Sequence, residues 1–275
     1  MDSRETKMNL NILRRSIADR RLSILVYAIG VAAYAVLILA IWPSLRENVS
    51  TLNQLWESYP EGIRKAFGGE NFTFATFDGF LSVEYFNQMW VIVMTAFSIS
   101  IATGAIALEI ERGTMELLLA QPVSRRALLL TRHFFFELGL LFLIGATLIP
   151  IAIGSPLVSG DINYMGLLAL AVPAFLFFTA IGSFTFFFSV LFNSRGTAIF
   201  VSLGIIIISY ALDILAKIND TISNVHFLSI FFYWDPYRYL HNLSFAWGDI
   251  IVLIAITLIS TAAAVYRFER RDIAV

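Results

Sequence analysis

The sequence contains no cysteine and only three histidines, which are His133, His226 and His241. The absence of cysteine excludes disulfides, thiolate nucleophiles and cysteine-ligated metals. Three histidines that lie far apart in the chain do not predict a histidine-rich metal site. We therefore expect neither a metal nor a cofactor bound by this chain.

The sequence also lacks the short motifs of nucleotide binding and hydrolysis. No glycine is followed by lysine, so the chain has no P-loop. Neither HExxH nor GxSxG occurs, and the acidic residues inside apolar runs form no convincing catalytic pair. We expect no catalytic residues, and intramembrane hydrolysis is the least favoured function. A net charge of −1 gives no indication of nucleic-acid binding.

Charged residues are scarce, at 14% of the 275 residues, whereas 58% are hydrophobic. The apolar residues form blocks that are long enough to cross a hydrocarbon core of about 30 Å. The sequence thus predicts an all-α integral membrane protein, a single domain over 1–275, with six transmembrane helices at about 22–42, 88–108, 134–155, 164–192, 197–216 and 250–266.

The first apolar block, Leu22–Trp42, has two interpretations. Ala33-Tyr34-Ala35 resembles a signal-peptide cleavage site, but the apolar run continues past it to Trp42. Signal-peptide apolar regions are shorter, so an uncleaved anchor is favoured. Residues 1–21 before it are basic and partly amphipathic. They predict an N-terminal interfacial helix on the membrane surface, or else a positive flank that holds the first span.

The distribution of basic residues predicts that both termini are cytoplasmic, in a multi-pass protein of the plasma membrane. On that topology 14 of the 19 Lys and Arg residues lie inside, as the positive-inside rule requires. Pro43–Asn87 becomes an outer loop with a surface amphipathic helix. Val225–Trp234 is too short to span and too apolar for a solvated loop, so it predicts a re-entrant or interfacial hairpin, with Trp234 and Tyr239 among the residues at headgroup depth.

The inner segment 109–132 combines charged residues with helix start and stop signals. Gly113 is expected to end the preceding helix, and the Thr114 hydroxyl to cap a new one. Met115, Leu118 and Leu119 would form its apolar side, and Pro122 would end it. Ser124 is expected to cap the third span. Such a short helix could fit a groove in a cytoplasmic partner, or it could be an interfacial turn without one.

The residues Glu109–Arg125 resemble a family signature. They read EIERGTMELLLAQPVSR, which is similar to the E-x-E-x-G-T-x-x-x-L-L-x-x-P-V-S-R pattern of type-2 ABC exporter permeases. Asp78–Phe86 resembles the segment that leads into the second span of those proteins. Phe268–Asp272 resembles their C-terminal ending. With the six-span layout, the resemblance covers nearly the whole chain.

The resemblance implies a transmembrane permease subunit of an ATP-binding-cassette exporter. Its partners would be two copies of an ABC ATPase subunit, which hold the ATP and Mg, and a second permease protomer, giving a homodimer in the lipid membrane. The loop 109–132 would be the coupling helix, and outer re-entrant helices would precede the last span. The ATPase-coupling residues would be Glu109, Glu111, Arg112, Gly113, Thr114, Glu116, Leu118, Gln121, Pro122, Ser124 and Arg125. The alternative is a membrane scaffold or channel-like protein without an ATPase.

Overall fold

The fold is a bundle of long α-helices, seen in a computed structural model that describes residues 10–68, 76–120 and 123–272. Helices and turns account for this described part, which contains no strand. In chain order its α-helices are α1 (Leu10–Glu47), α2 (Val49–Ser58), α3 (Glu61–Gly68), α4 (Phe77–Phe80), α5 (Trp90–Thr103), α6 (Ala107–Glu111), α7 (Met115–Leu119), α8 (Arg125–Gly154), α9 (Tyr164–Leu191), α10 (Arg195–Ile218), α11 (Asp220–Ser223), α12 (Pro236–Leu240) and α13 (Trp247–Arg270).

Six helical stretches of the described chain are long and apolar enough to cross a membrane. They are α1, the continuous stretch Phe77–Thr103 that includes α4 and α5, α8, α9, α10 and α13. This confirms the predicted all-α architecture with six candidate spans. Successive spans run in opposite directions, so the bundle has two ends. We call the end with α6, α7 and the last turn of α13 the proximal end, and the end with α2, α3 and α12 the distal end.

Helix α9 lies at the centre of the bundle and packs against α5, α8, α10, α12 and α13. Its phenylalanines Phe177, Phe178 and Phe186 are fully buried. The core is aromatic around Trp90, whose ring meets Phe178 edge-on at 5.1 Å. The Trp90 indole N–H donates to the Thr147 hydroxyl at 2.8 Å, which joins the second span to α8. Buried aromatic rings of this kind supply large apolar area together with a polar group that needs a partner.

The second span begins earlier than the sequence suggested. Its helix starts at Phe77 instead of Gln88, includes a π-helical stretch at Leu81–Met89, and ends at Thr103 before a turn at 104–106. Phe77–Phe86 was assigned to the end of the outer loop Pro43–Asn87, as an aromatic stretch that is short of charge. In the bundle its rings pack against protein and its Asp78 is paired with His241, so the helix continues through it.

The basic N-terminal segment does not form a separate helix where the structure describes it. From Leu10 it is the beginning of α1, which continues without a break to Glu47. No proline or glycine occurs between Leu10 and Ile29, so nothing in this sequence ends a helix there. Residues 1–9 of the predicted interfacial helix lie outside the described residues. Whether the segment rests on a membrane surface stays a prediction.

The segment before the last span folds onto the distal end. It forms two 3₁₀ turns, His226–Leu228 and Ile230–Tyr233, and then α12, which Asp235 caps through the Arg238 N–H. Trp234 and Tyr239 are buried in the protein, so their rings are surrounded by other residues, and the predicted headgroup depth stays a prediction. The Trp234 indole N–H donates to the Phe86 carbonyl at 3.3 Å, so it has a hydrogen-bond partner inside the protein. A re-entrant position in a bilayer remains a prediction for this segment.

Candidate functional site at the proximal end

The candidate site is the connection between α6 and α8, and it begins with a sharp reversal at Gly113. Gly113 has φ +69°, the left-handed region that favours glycine. Its N–H donates to Ile110 and the N–H of Thr114 donates to Glu109, at 3.0 and 2.9 Å. This pair of bonds is a Schellman motif, which satisfies carbonyls at the end of α6. The predicted break at Gly113 is therefore present.

The short helix α7 is fixed to the bundle by one side and open on the other. Met115 and Leu118 are buried, with 1% and 7% of their surface exposed, and Leu119 packs against the core. Glu116 and Leu117 point away, and Leu117 is 72% exposed. The apolar side predicted from Met115, Leu118 and Leu119 is thus confirmed. The exposed Leu117 on the opposite face was not singled out from the sequence.

Thr114 does not cap α7 as expected. No helix N–H reaches its hydroxyl, which instead donates to the Glu109 carboxylate and lies 3.3 Å from the Glu109 carbonyl. Arg132 completes this cluster with a guanidinium–carboxylate contact of 3.0 Å to Glu109. Thr114 has helical backbone angles, φ −86° and ψ −10°, whereas a capping residue is typically extended. Its hydroxyl is therefore not turned to the helix N–H groups, and it makes a charge-assisted bond to Glu109 instead.

The Glu109 carboxyl is stabilised in its ionised form. Its burial acts to raise the pKa, but the hydrogen bond from Thr114 and the charge of Arg132 outweigh burial and hold the pKa of Glu109 below its usual range. Glu109 therefore connects the end of α6, the start of α7 and the first third of α8. The side-chain bonds of Glu109 are made within the chain, to Thr114 and Arg132.

Glu111 also accepts a hydrogen bond from within the chain. Its carboxylate accepts the main-chain N–H of Arg195 at 2.6 Å. Arg195 is the first residue of α10, where amide N–H groups have no partner within the helix and the helix dipole favours a negative charge. Ser194 caps the same end by accepting from Thr197. The loop after the second span is thereby fastened to the start of the fifth.

The far end of the connection is fastened to the C-terminal helix. Ser124 caps α8 as predicted, accepting the Ala127 N–H at 3.1 Å. Arg125 donates to the carbonyls of Phe268 and Arg271 at the end of α13. Arg271 is buried and in turn donates to the carbonyls of Val190 and Phe192 and to the Asn193 side chain, at the end of α9. Arginine at helix C-termini satisfies orphan carbonyls and complements the dipole.

The structure therefore separates the predicted coupling residues into two groups. Glu109, Thr114, Leu118, Ser124 and Arg125 are at least partly buried and make bonds or contacts within the bundle, whereas Glu111 is bonded to α10 but is itself exposed. Arg112, Gly113 and Glu116 lie on the exposed face, together with Leu117. Gln121 and Pro122 lie outside the described residues, so their predicted roles are not tested. Sequence reasoning missed Arg195 and Arg271 as partners of the loop, because their bonds involve main-chain atoms distant in sequence.

The fold and this connection define a polytopic α-helical membrane protein with a short helix held between two spans. The chain belongs to the ABC-2 family of transporter proteins, since the family model described as ABC-2 family transporter protein matches residues 10–273. It is thus a multi-pass transmembrane permease, and the family implies an ABC ATPase as partner. The predicted family is confirmed. No curated protein matches the chain in a sequence search.

Proposed function

We propose that this chain is the transmembrane subunit of an ATP-driven exporter, with α7 as the element that an ATPase moves. The observation that carries the proposal is that one face of α7 is attached to the bundle while its other face is exposed. Its inner face is anchored in the core by Met115 and Leu118, whereas Arg112, Glu116 and Leu117 are exposed. An exposed leucine flanked by opposite charges suits a groove on a protein partner.

A push on α7 would reach several spans through bonds already described. Glu109 connects it to α8 through Arg132, and Glu111 connects it to α10 through the Arg195 N–H. Arg125 extends the connection to the end of α13. These contacts support a mechanical role, in which hydrolysis takes place on the partner and rearranges this bundle. The proximal end would then be cytoplasmic, with two ATPase copies and a second permease protomer in the assembly, at the plasma membrane.

The test is co-purification with the cognate ATPase, using matched leucine-to-aspartate variants. L117D places a charge on the exposed face of α7, and L157D makes the same change at an exposed distal leucine, 83% exposed. We expect L117D to lose the ATPase complex and L157D to retain it. E116R and E57R form a second pair at exposed glutamates on the two ends.

ATP hydrolysis by the reconstituted complex gives the second measurement. We expect the purified chain alone to hydrolyse no ATP, and substrate-stimulated hydrolysis to fall with L117D but not with L157D. An L117D protein that folds, binds the ATPase and supports stimulated hydrolysis would overturn the assignment of α7. Equal losses in both leucine variants would also contradict it, because they would indicate a general defect.

A further inference from the structure

Three arginines from three different spans converge on one turn at the proximal end. Arg20 of α1 donates to the Gly104 carbonyl at 3.3 Å, and Arg195 of α10 lies 3.4 Å from the Ser100 carbonyl. Arg132 of α8 donates to the Ala105 carbonyl. These carbonyls belong to the end of α5 and the turn that follows it. We call Arg20, Arg132 and Arg195 the arginine cluster.

The arginine cluster carries more positive charge than its surroundings balance. Arg20 experiences the like charges of Arg195, Arg132 and Arg112, and the opposite charge of Glu109. Asp19 lies beside Arg132 as well, and it is shared with the exposed Arg15 at 3.7 Å. The carboxylates of Asp19 and Glu109 thus face Arg15 and the three guanidiniums of the cluster, together with the partial negative charge of one helix end. Burying like charges without a counter-ion is costly.

Two hydrogen-bond donors in the cluster have no acceptor. The Nε–H groups of Arg132 and Arg195 are buried and find no partner among the described residues. A buried donor without an acceptor destabilises the folded protein, and more so where the group is charged. These arginines therefore have N–H donors that remain unpaired after the carbonyls at the end of α5 have been satisfied.

A small cavity opens beside the cluster. Arg20 and Arg132 line it directly, whereas Arg195 does not. The other lining residues are Ser16, Asp19, Ile101, Gly104, Ala105, Glu109 and Phe135. Its volume, taken as the space open to the centre of a water molecule, is about 40 Å³. A single water needs about 10–15 Å³ on that measure, so the cavity has room for a group of about three water volumes. That is the size of one tetrahedral oxyanion.

We propose that the arginine cluster binds one phosphate group, at the depth where phospholipid headgroups meet the bundle. Guanidinium groups recognise phosphate through paired, charge-assisted N–H···O bonds. The phosphate would supply negative charge to the cluster. It would join α1 and α8 around the end of α5 through Arg20 and Arg132, and Arg195 of α10 would add its charge from outside the cavity. The same chemistry is offered by an anionic phospholipid and by free phosphate, and the two sources are distinguished below.

The experiment measures the thermal unfolding midpoint of the purified full-length chain in detergent. Phosphatidylglycerol is added in one arm and phosphatidylcholine with the same acyl chains in another. Preferential binding to the folded state raises the midpoint. We expect the wild type to gain several-fold more from phosphatidylglycerol than from phosphatidylcholine. In a third arm, sodium phosphate is compared with sodium chloride at equal ionic strength. A gain in that arm identifies free phosphate as a ligand, and its absence assigns the site to the lipid.

Matched variants locate the site. R20Q and R195Q should lose most of the gain, whereas R21Q removes the same charge from an exposed neighbour and should keep it. G104A tests position without changing charge, because a Cβ at residue 104 would overlap with the Arg20 guanidinium. We expect G104A to behave like R20Q. Equal gains in R20Q and R21Q would overturn the proposal. So would a wild type that responds to neither phosphatidylglycerol nor phosphate.

Discussion

The two ends of the bundle are held together by different kinds of bond. At the proximal end, arginine side chains donate to main-chain carbonyls where helices end, as Arg125 and Arg271 do at α13 and α9. At the distal end, side chains pair with side chains. Asp78 meets His241 at 2.6 Å, and Asp213 meets His226 and Lys217 at 2.7 Å each.

The difference determines what a substitution can break. A main-chain carbonyl is present whatever residue carries it, so a bond of this kind is lost only when its arginine changes. A side-chain pair, such as the distal ones above or Glu109 with Arg132 at the proximal end, is lost when either partner changes. We expect the proximal end to depend on few residues, each with a large effect, and the distal end to depend on pairs. The predictions that follow test this contrast.

The largest effect is expected for R271Q. Arg271 is only 5% exposed and serves three acceptors at the end of α9. Its loss leaves buried carbonyls unsatisfied, at about 1–3 kcal/mol for each group. We predict that the free energy of unfolding falls by about 3 kcal/mol, measured by thermal or chemical unfolding in detergent. R267Q, at an exposed position of the same helix, is the control and should change little.

A smaller effect is expected for D213N at the distal end. The buried Asp213 carboxylate is paired with both His226 and Lys217. The asparagine side chain in D213N is neutral, so it gives these two groups a weaker acceptor. We predict a loss of about 2 kcal/mol, on the scale of hydrogen bonds to charged groups. Hydrogen exchange should increase in residues 221–235 and not at the proximal end. D161N, an exposed distal acid, serves as control. Faster exchange around α7 would contradict the separation of the two ends.

G113A should have a moderate effect that comes from the backbone alone. No atom lies within 4 Å of a Cβ built at residue 113, so the substitution causes no clash. The left-handed backbone at φ +69° nevertheless costs an alanine about 1 kcal/mol. We predict a corresponding fall in the unfolding free energy. G248A, where a Cβ also meets nothing, should cost less. Equal costs at both positions would mean that the reversal at Gly113 adds no strain.

The smallest effect concerns pH and Glu109. Because the pKa of Glu109 is lowered in the folded protein, its ionised form adds stability above the usual carboxyl value of 4.5. That contribution is lost as the pH falls through the lowered pKa. We predict that the stability difference between the wild type and E109Q is constant above about pH 5 and shrinks below it. A difference that grows on acidification would contradict the ion pair with Arg132.

The sequence predicts the proximal connection well where the signal is local. Gly113, Ser124 and the apolar side of α7 follow from turn chemistry and helical spacing, and the structure has all three. The cap at Thr114 was wrong because Glu109, five residues earlier, offers a charged acceptor. That contact depends on how far the chain reverses at Gly113, which no local rule specifies.

The bonds to Arg195 and Arg271 show the other limit. Each bond has a main-chain group on one side, the Arg195 N–H that Glu111 accepts and the Phe192 carbonyl to which Arg271 donates, so the residue type on that side carries no signal. The early start of the second span was missed for a related reason. Asp78 looked like a loop residue until its partner His241, near the other end of the chain, was in place. In both cases, contacts between residues distant in sequence determine the local structure, and the local sequence alone does not reveal them.

The π-helical stretch Leu81–Met89 interrupts the α-helical register of the second span. In this register each N–H bonds five residues back, one more than in an α-helix, and Tyr85 and Trp90 brace it against Val31 and Thr147. An α-helix rises about 1.5 Å and turns about 100° per residue. A change of register in this stretch would therefore alter both the length of the span and the rotation of Asp78 about its axis relative to Glu111.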